Sequence, residues 1–449
     1  MNKENTIKNI ERLKEILIFV LLSICLILPV IRQVTHTLIF SLNNECNIIK
    51  FIGLIGIIGL VLSICINYKK NENKKEYILK ILPIILFVLY MTWTLISCIL
   101  SQDQYKAFYG TDTRKDGYFT YIAYAGIFSL ALCLKDTRIK KVLLNLFILI
   151  ATLIIALVEI RKQGFLSTLI WTKDITKGPF FNSNHYGYYL MMVASIALFL
   201  FIMEDKKVLK MVYLLIYSYF IYYLIINNTF GSYLALFLTI VMFMVVAIIK
   251  KEKRILALIS IIIFAGVSIS TQTAKNINTQ QNKNITSENI KQLSSDISKI
   301  TNAKNNPNNK YEEAGSGRLA LWINGTKFFI ESPVFGYGPE NLEVKYKEVG
   351  ILQDRPHNLI LQLLTTSGLP GCILYMSAVG IILIRGLKNI DMKNDLLVVC
   401  LFTSIVYLIS SMFGNSMYYT SPYFYIILGF LMKELIEKEG TINWKDMKK

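Results

Sequence analysis

Long apolar stretches separated by short polar segments run along most of the chain. Helices of about 17–25 apolar residues span the hydrocarbon core of a bilayer, and the pattern predicts twelve such spans. We place them at 15–34, 48–67, 79–100, 118–134, 142–160, 186–203, 208–226, 231–249, 255–271, 359–384, 396–414 and 420–434. Several, including 142–160, carry no polar stripe of helical period, so they face lipid or one another. The pattern predicts an all-α, polytopic bundle of about 12 transmembrane helices.

Composition supports a membrane protein. The chain has 449 residues, of which 54% are hydrophobic and 17% are charged, and its mean hydropathy is +0.47. Soluble proteins carry roughly 25% charged residues, so this composition excludes a soluble protein and extensive disorder. The net charge of +18 would indicate a nucleic-acid partner in a soluble domain. In a membrane protein it reports topology instead, and no nucleic-acid partner is expected.

The basic residues set the predicted orientation. If the N-terminus is cytoplasmic, the cytoplasmic segments hold 28 Lys and Arg and the short external loops hold nine. This asymmetry predicts that both termini are cytoplasmic. The basic start before the first apolar run resembles a signal peptide, but no small-x-small cleavage site follows, so an uncleaved first helix is expected. The seven cysteines show no zinc-ligand spacing, and no structural zinc site or disulfide framework is expected.

One long external loop interrupts the rhythm of helices. It divides the chain into an N-terminal bundle at 1–270 with about nine helices, the loop at 271–357, and C-terminal helices with a tail at 358–449. Residues 276–310 are rich in Asn, Lys, Ser and Thr, which predicts a loosely ordered surface segment. Arg318–Ile330 predicts an amphipathic helix on the membrane surface, ended by the Pro333 and Gly336-Tyr337-Gly338-Pro339 turn signals.

Candidate chemistry gathers on the predicted external side. All three histidines map there: His36, His185 and His357. His357 lies in the run Asp354-Arg355-Pro356-His357-Asn358, where Asp354 is expected to cap a helix with Pro356 in its first turn. A histidine at this interface can accept a hydroxyl proton, and Arg355 with Arg318 would attract a phosphate or diphosphate. The combination predicts a site for an anionic, hydroxyl-bearing lipid substrate.

Two motifs carry a resemblance to a known family. His357-Asn358, nine residues and then Gly368-Leu369-Pro370-Gly371 resemble the HN-x9-G-x-x-G signature of the bacterial O-antigen ligase and polymerase superfamily. Upstream, Gly317-Arg318, Trp322 and the run from Pro333 to Gly338 resemble the superfamily's G-R-x-x-x-W…P-x-x-G-x-G stretch. Two further segments, 110–117 and 178–184, are similar to Gram-positive members.

The resemblance implies a GT-C-like fold and transfer of glycan from an undecaprenyl-diphosphate-linked donor to an acceptor hydroxyl outside the cytoplasmic membrane. It implies neither a metal ion nor another cofactor. It also implies that the reaction inverts the configuration at the anomeric carbon. By analogy Arg318 binds the diphosphate and His357 activates or orients the acceptor hydroxyl. Many members carry a second arginine where this chain has Phe230; Arg114, Arg161 or Arg355 would have to replace it, and we favour Arg114.

The remaining candidates each have two readings. Asn358, Trp322, Asn182 and Asn184 are candidate substrate-binding residues, as are Arg114 and Arg355. However, Trp322 is equally suited to anchoring at the interface, and capping of a helix by Asn182 and Asn184 is slightly favoured over glycan contact. The candidate site-shaping residues are the motif glycines Gly336, Gly338, Gly368 and Gly371. Close helix packing would explain Gly368 and Gly371 equally well.

A carrier or flippase that moves the same lipid-linked glycan without bond chemistry is the competing class. Charged residues are almost absent from the middle of the predicted spans, which disfavours an ion-coupled transporter. The acceptor stays open between lipopolysaccharide core, a growing polysaccharide, a wall polymer and a protein hydroxyl.

Overall fold

A computed structural model describes residues 3–35, 42–70, 74–278, 317–415 and 417–441. These residues form 16 α-helices and one short 3-10 turn, with no strand among them, so the all-α prediction is confirmed. His36 and nearly all of the predicted surface segment at 276–310 lie outside these ranges; residues 276–278 belong to a helix.

The helices follow one another with short connections. Their bounds are α1 Lys3–Thr35, α2 Leu42–Lys70, α3 Lys74–Lys80, α4 Leu82–Ile99, α5 Gln104–Tyr109, α6 Tyr118–Cys133, α7 Thr137–Lys162, α8 Ser183–Met203, α9 Lys207–Asn227, α10 Phe230–Lys250, α11 Arg254–Asn278, α12 Arg318–Glu331, α13 Leu342–Glu348, α14 Leu359–Lys388, α15 Asp395–Ser411 and α16 Ser421–Thr441. The 3-10 turn is Gly178–Phe180. The predicted amphipathic helix at Arg318–Ile330 is present as α12.

Nine of the helices in the described part of the chain are long and apolar enough to cross a membrane, so the protein is membrane-embedded. They are α1, α2, α4, α7, α8, α9, α10, α11 and α14. The other three predicted spans also fall on helices, of which α6 and α15 are apolar but shorter, with 16 and 17 residues. The full count of twelve spans therefore stays a prediction.

Close packing of α2 and α6 depends on small residues. A Cβ added at Gly53 would lie 2.4 Å from the Ala123 Cα atom, and one at Gly126 would lie 1.8 Å from the Gly53 carbonyl oxygen. Small residues let membrane helices approach until their backbones touch, which gains dispersion contacts that lipid cannot supply. On its other side α6 packs against α16, and α8 lies at the centre of the bundle against α9 and α15.

Two buried ion pairs tie helix ends together. Lys140 at the start of α7 donates to Glu434 of α16 at 2.8 Å, and Arg32 near the end of α1 pairs with Glu45 of α2. The Arg32 guanidinium also lies 4.4 Å from the Tyr419 ring centroid. Because an unpaired buried charge is very costly, each pair fixes the helices that carry it.

The helix α14 is broken near its start. Gly368 has φ +68° and ψ −175°, which interrupts the helix inside its apolar run. Residues 333–338 dock on this break through backbone hydrogen bonds, with Tyr337 N donating to Thr365 O at 2.8 Å and Leu369 N donating to Pro333 O at 2.8 Å. The break therefore fixes the segment that joins α12 to α13.

Candidate functional site

Two segments far apart in sequence are joined by reciprocal ion pairs at one end of the bundle. Arg114, in the loop before α6, donates to Asp354 through Nε at 2.7 Å and Nη2 at 3.0 Å. In the opposite direction Arg355 pairs with Asp116 at 3.3 Å and with Glu340. We call these five residues the ion-pair network. It holds the run 354–358 against the loop 110–117.

The two arginines of the network differ in how fully they are committed. Arg355 is 3% exposed, and although burial disfavours its charge, the carboxylates of Glu340, Asp354 and Asp116 hold its pKa above the usual value. Burial raises the pKa of Asp116 to about 6, against the lowering effect of Arg355. Arg114 keeps 24% side-chain exposure and pairs with one carboxylate among the described residues. Arg355 is therefore engaged in buried ion pairs within the protein, while the more exposed Arg114 can still contact a ligand.

His357 sits between the network and the start of α14 in a strained conformation. Its φ is +53°, a left-handed value that costs a residue with a Cβ about 1–3 kcal/mol. Its Nδ1 atom is buried and has no hydrogen-bond partner in the described ranges. Burial, and then the positive charges of Arg318, Arg355 and Arg114, lower the pKa of His357 to about 4, although Asp354 acts the other way. The imidazole is thus neutral near pH 7 and able to accept a proton.

The expectation that Asp354 caps the following helix is wrong. The Asp354 carboxylate is occupied by Arg114, and the left-handed backbone at His357 prevents a helix from starting before it. Instead α14 starts at Leu359, and the Asn358 side chain caps it by accepting from Leu361 N at 3.1 Å. Asn358 also donates to Met412 O at 3.0 Å, so it links α14 to the end of α15.

Arg318 is the first residue of α12 and is partly exposed. It makes no ion pair with any residue that the structure describes, yet its charge acts on the His357 ring. Trp322, one turn further along, packs with the small cluster of Leu321, Phe328, Leu342 and Tyr346 between α12 and α13. Among the described residues Arg318 therefore has no carboxylate partner, and its charge acts on His357.

The motif glycines lie where backbones meet. A Cβ at Gly368 would lie 2.0 Å from the Val334 carbonyl oxygen, and one at Gly336 would lie 2.6 Å from the Thr366 carbonyl carbon. Both have φ near +67° as well, so a side chain is disfavoured for two reasons. A Cβ added at Gly338 would lie 2.7 Å from its nearest neighbouring atom, and one added at Gly371 would lie 2.5 Å from its nearest. The close approaches at Gly336 and Gly368 account for the packing of 333–338 on α14. A Cβ at Gly338 would instead meet Ser101, and one at Gly371 would meet Ser367 of its own helix and Trp93.

A second polar group, which the motif pattern does not single out, lies at the same end. Asn182 caps α8 by accepting from Asn184 N at 2.8 Å, as the capping alternative predicts for Asn182, while Asn184 takes part in this cap through its backbone N–H. His185 in the first turn of α8 is 3% exposed, its Nδ1 is without a partner among the described residues, and its ring lies 5.7 Å from that of Tyr419. The charges of Arg114, Arg355 and His357 act on it. The available sequence signal was its place directly after the 178–184 segment.

Phe230 stands where the resemblance places a second arginine. Phe230 opens α10 and is 63% exposed, so it brings no cation to this end of the bundle. Arg114, which contacts Met417 Sδ at 3.4 Å as well as Asp354, brings a positive charge close to His357 instead.

The comparisons with known proteins agree with the motifs. Residues 214–376 match a family profile described as O-antigen ligase. No curated protein matches the chain. The matched segment contains Arg318, His357 and the motif glycines Gly336, Gly338, Gly368 and Gly371. This match confirms the resemblance: through residues 214–376, the chain is similar to the O-antigen ligase family, within the O-antigen ligase and polymerase superfamily.

Proposed function

We propose that the protein is a glycan ligase or polymerase of the bacterial cytoplasmic membrane. It would transfer glycan from an undecaprenyl-diphosphate-linked donor to an acceptor hydroxyl at the external face. The observation that carries this proposal is the neutral, strained His357 beside the cations Arg318 and Arg114. A neutral base next to positive charge suits the reaction of a hydroxyl nucleophile with a diphosphate leaving group.

The bonds balance without a cofactor. The acceptor oxygen forms a bond to the anomeric carbon while the bond from that carbon to the diphosphate oxygen breaks. His357 takes the hydroxyl proton, and undecaprenyl diphosphate leaves with the bonding electron pair. A single displacement of this kind inverts the anomeric configuration. The proton then passes from His357 to water or to the departing diphosphate, which restores the neutral base.

The cations have different proposed roles. Arg318 and Arg114 would bind the diphosphate, because each keeps exposed surface and stands near His357. Arg355 would act by positioning the 354–358 run, since buried carboxylates already take its charge. Asn358 would hold the start of α14. Trp322 and the partly exposed Asn184 remain proposed contacts of the glycan, whereas the Asn182 side chain is occupied as a cap.

The proposed architecture follows the charge distribution. We propose twelve spans in a GT-C-like arrangement with both termini cytoplasmic, because the basic residues concentrate in alternate connections. The end of the bundle that carries His357 and Arg114 is then external. Lipid-linked donor would reach it along the membrane, and the acceptor would come from outside.

The first prediction tests the two principal residues. Arg318→Ala or His357→Ala should abolish glycan transfer, because one removes charge stabilisation and the other the base, while the protein stays folded and inserted. Cells with either variant should accumulate lipid-linked glycan, measured by lipid extraction and mass spectrometry. Arg138→Ala is the matched control, since Arg138 is exposed at the start of α7, far along the helix from this end, and it should behave like the wild type.

A reconstituted assay decides between the enzyme and a carrier. The enzyme releases undecaprenyl diphosphate, whereas a carrier relocates intact lipid-linked glycan. Normal transfer by both the Arg318→Ala and the His357→Ala variants would contradict the proposal. Run in EDTA, the same assay tests the metal-independent reaction: activity lost in EDTA and restored by magnesium would contradict that part.

A further inference from the structure

The Arg114–Asp354 pair is the one contact of the ion-pair network that a ligand can reach. Its side chains are 24% and 20% exposed, whereas those of Arg355, Asp116 and Glu340 are 3%, 3% and 1% exposed. Arg114 donates two hydrogen bonds to Asp354, from Nε at 2.7 Å and from Nη2 at 3.0 Å. The same planar fork binds phosphate oxygens in a bidentate manner. A diphosphate and Asp354 therefore compete for one guanidinium.

His357 lacks the partner that usually orients a catalytic imidazole. A base that accepts a proton on one ring nitrogen is normally held by a second group on the other, but the His357 Nδ1 is buried and unbonded among the described residues. The charged and titratable groups that act on this ring are Asp354, Arg318, Arg355, Arg114 and His185. Asp354 is the one carboxylate among them, three residues earlier in the same run.

We propose that the donor's diphosphate displaces Asp354 from Arg114, and that the freed Asp354 carboxylate then accepts a hydrogen bond from His357 Nδ1. Asp354 is thus a positioning residue that orients the base once the donor is bound. This inference rests on the proposed function, because it assigns the diphosphate to Arg114 and the base to His357. It adds a step in which binding of the donor orients the His357 imidazole for proton transfer.

The exchange needs little rearrangement. Arg355 Nε lies 3.4 Å from Asp354 Oδ2, and Arg355 itself is held by Asp116 and Glu340, so the backbone of the 354–358 run stays fixed while the Asp354 side chain turns. Each charged group keeps a hydrogen-bond partner. Arg114 loses the Asp354 carboxylate and binds the diphosphate, and Asp354 loses the Arg114 guanidinium and accepts from the His357 imidazole. Before the donor arrives, His357 lacks its orienting group and is a poor base.

Binding measurements test the competition directly. Purified full-length protein in lipid nanodiscs is titrated with undecaprenyl diphosphate. Asp354→Asn should bind about two- to fivefold more tightly than the wild type, because Arg114 no longer has to leave a carboxylate; an exposed ion pair is worth this much. Arg114→Gln should bind more weakly. Weaker binding by Asp354→Asn would overturn the proposal.

Kinetics test the orienting role. For Asp354→Asn, kcat should fall by about tenfold or more while KM for the lipid-linked donor does not rise. Asp354→Glu should recover part of kcat, since it keeps a carboxylate. Glu343→Gln, which removes an exposed carboxylate paired with Lys347, is the matched control and should match the wild type. A purely structural role for Asp354 would raise KM as well, and an unchanged kcat would overturn the proposal.

A third measurement separates failure of this inference from failure of the proposed function. The His357 resonances are assigned in nitrogen-15-labelled protein by comparison with His357→Gln. Adding undecaprenyl diphosphate should produce a hydrogen-bonded Nδ1 proton in the wild type but not in Asp354→Asn, whether or not glycan is transferred. Identical responses in the two proteins would reject the exchange. Absence of transfer by the wild type, with the exchange present, would reject only the proposed function.

Discussion

At the scale of single residues, the site depends on a histidine that is kept neutral by its surroundings. The ring of His357 is largely buried, and three arginine charges act on it against one carboxylate. Burial of an ionisable base disfavours its charged form, and nearby positive charge does the same. The proposed base is therefore unprotonated at neutral pH, and its proton affinity is lower than that of an exposed histidine.

This environment sets the expected pH dependence of catalysis. The pKa of His357 is lowered from 6.5 to about 4, so the free enzyme holds the base unprotonated at every pH above that value. The acidic limb of kcat/KM, which reports the free enzyme, should fall near pH 4. The acidic limb of kcat should fall at a higher pH, because the negative charge of a bound diphosphate beside the His357 ring raises its pKa.

Steady-state assays across pH 3.5–8 with the lipid-linked donor, about half a pH unit apart, would measure both limbs. The melting temperature at each pH serves as the control for acid unfolding. A kcat/KM limb between pH 6 and 7 would contradict the burial of His357.

At the scale of elements, the break in α14 is the joint that holds the site together. Residues 333–338 pack on it through Gly336 and Gly368, where backbones approach more closely than a Cβ allows. The same break receives the Trp93 indole, which donates to Ser367 O at 3.0 Å. The part of α14 before the break starts at Leu359, two residues after His357. Position and strain of the base therefore depend on this joint.

Gly368→Ala should damage this joint. The new Cβ would meet Val334 O at 2.0 Å, and the left-handed backbone disfavours it as well, so the cost should be about 2 kcal/mol or more. The expected result is a lower melting temperature in detergent together with loss of glycan transfer.

Gly380→Ala is a matched control in the same helix. A Cβ at Gly380 meets nothing within 4 Å, and alanine suits a helix better than glycine. Its melting temperature should be unchanged or slightly higher. Equal effects of the two substitutions would show that the close approach at Gly368 is not needed.

At the scale of the whole molecule, orientation in the membrane decides whether the site can work. The fully buried α8 and the ion pairs at helix ends make one bundle, and the concentration of basic residues in alternate connections predicts which end faces the cytoplasm. The proposed chemistry needs the His357 end outside.

Cysteine labelling in intact cells checks this orientation. Lys347→Cys, at an exposed position of α13, should react with a membrane-impermeant maleimide from outside. Asp205→Cys, at an exposed position between α8 and α9, should react only after permeabilisation. The unsubstituted protein gives the background from its native cysteines. Labelling of Asp205→Cys but not Lys347→Cys in intact cells would reverse the predicted topology.

Much of this protein follows from local pattern. Apolar runs of spanning length predict twelve of the described helices in place, because every backbone polar group inside a membrane must be bonded within its own helix. The HN-x9-G-x-x-G motif and the preceding G-R run likewise carry the resemblance to the O-antigen ligase and polymerase superfamily, which the profile match over residues 214–376 supports. These features are local, so neither needs knowledge of how the helices pack.

The tertiary structure decided how the described charges pair. The sequence offers Arg114, Arg318 and Arg355 as candidate cations, but only packing shows that Arg355 is buried between Asp116 and Glu340. Packing also gives Asp354 to Arg114 and leaves the capping of α14 to Asn358. The pairing of charges more than 200 residues apart depends on the distance between them and on their burial. Both are fixed only when the helices assemble.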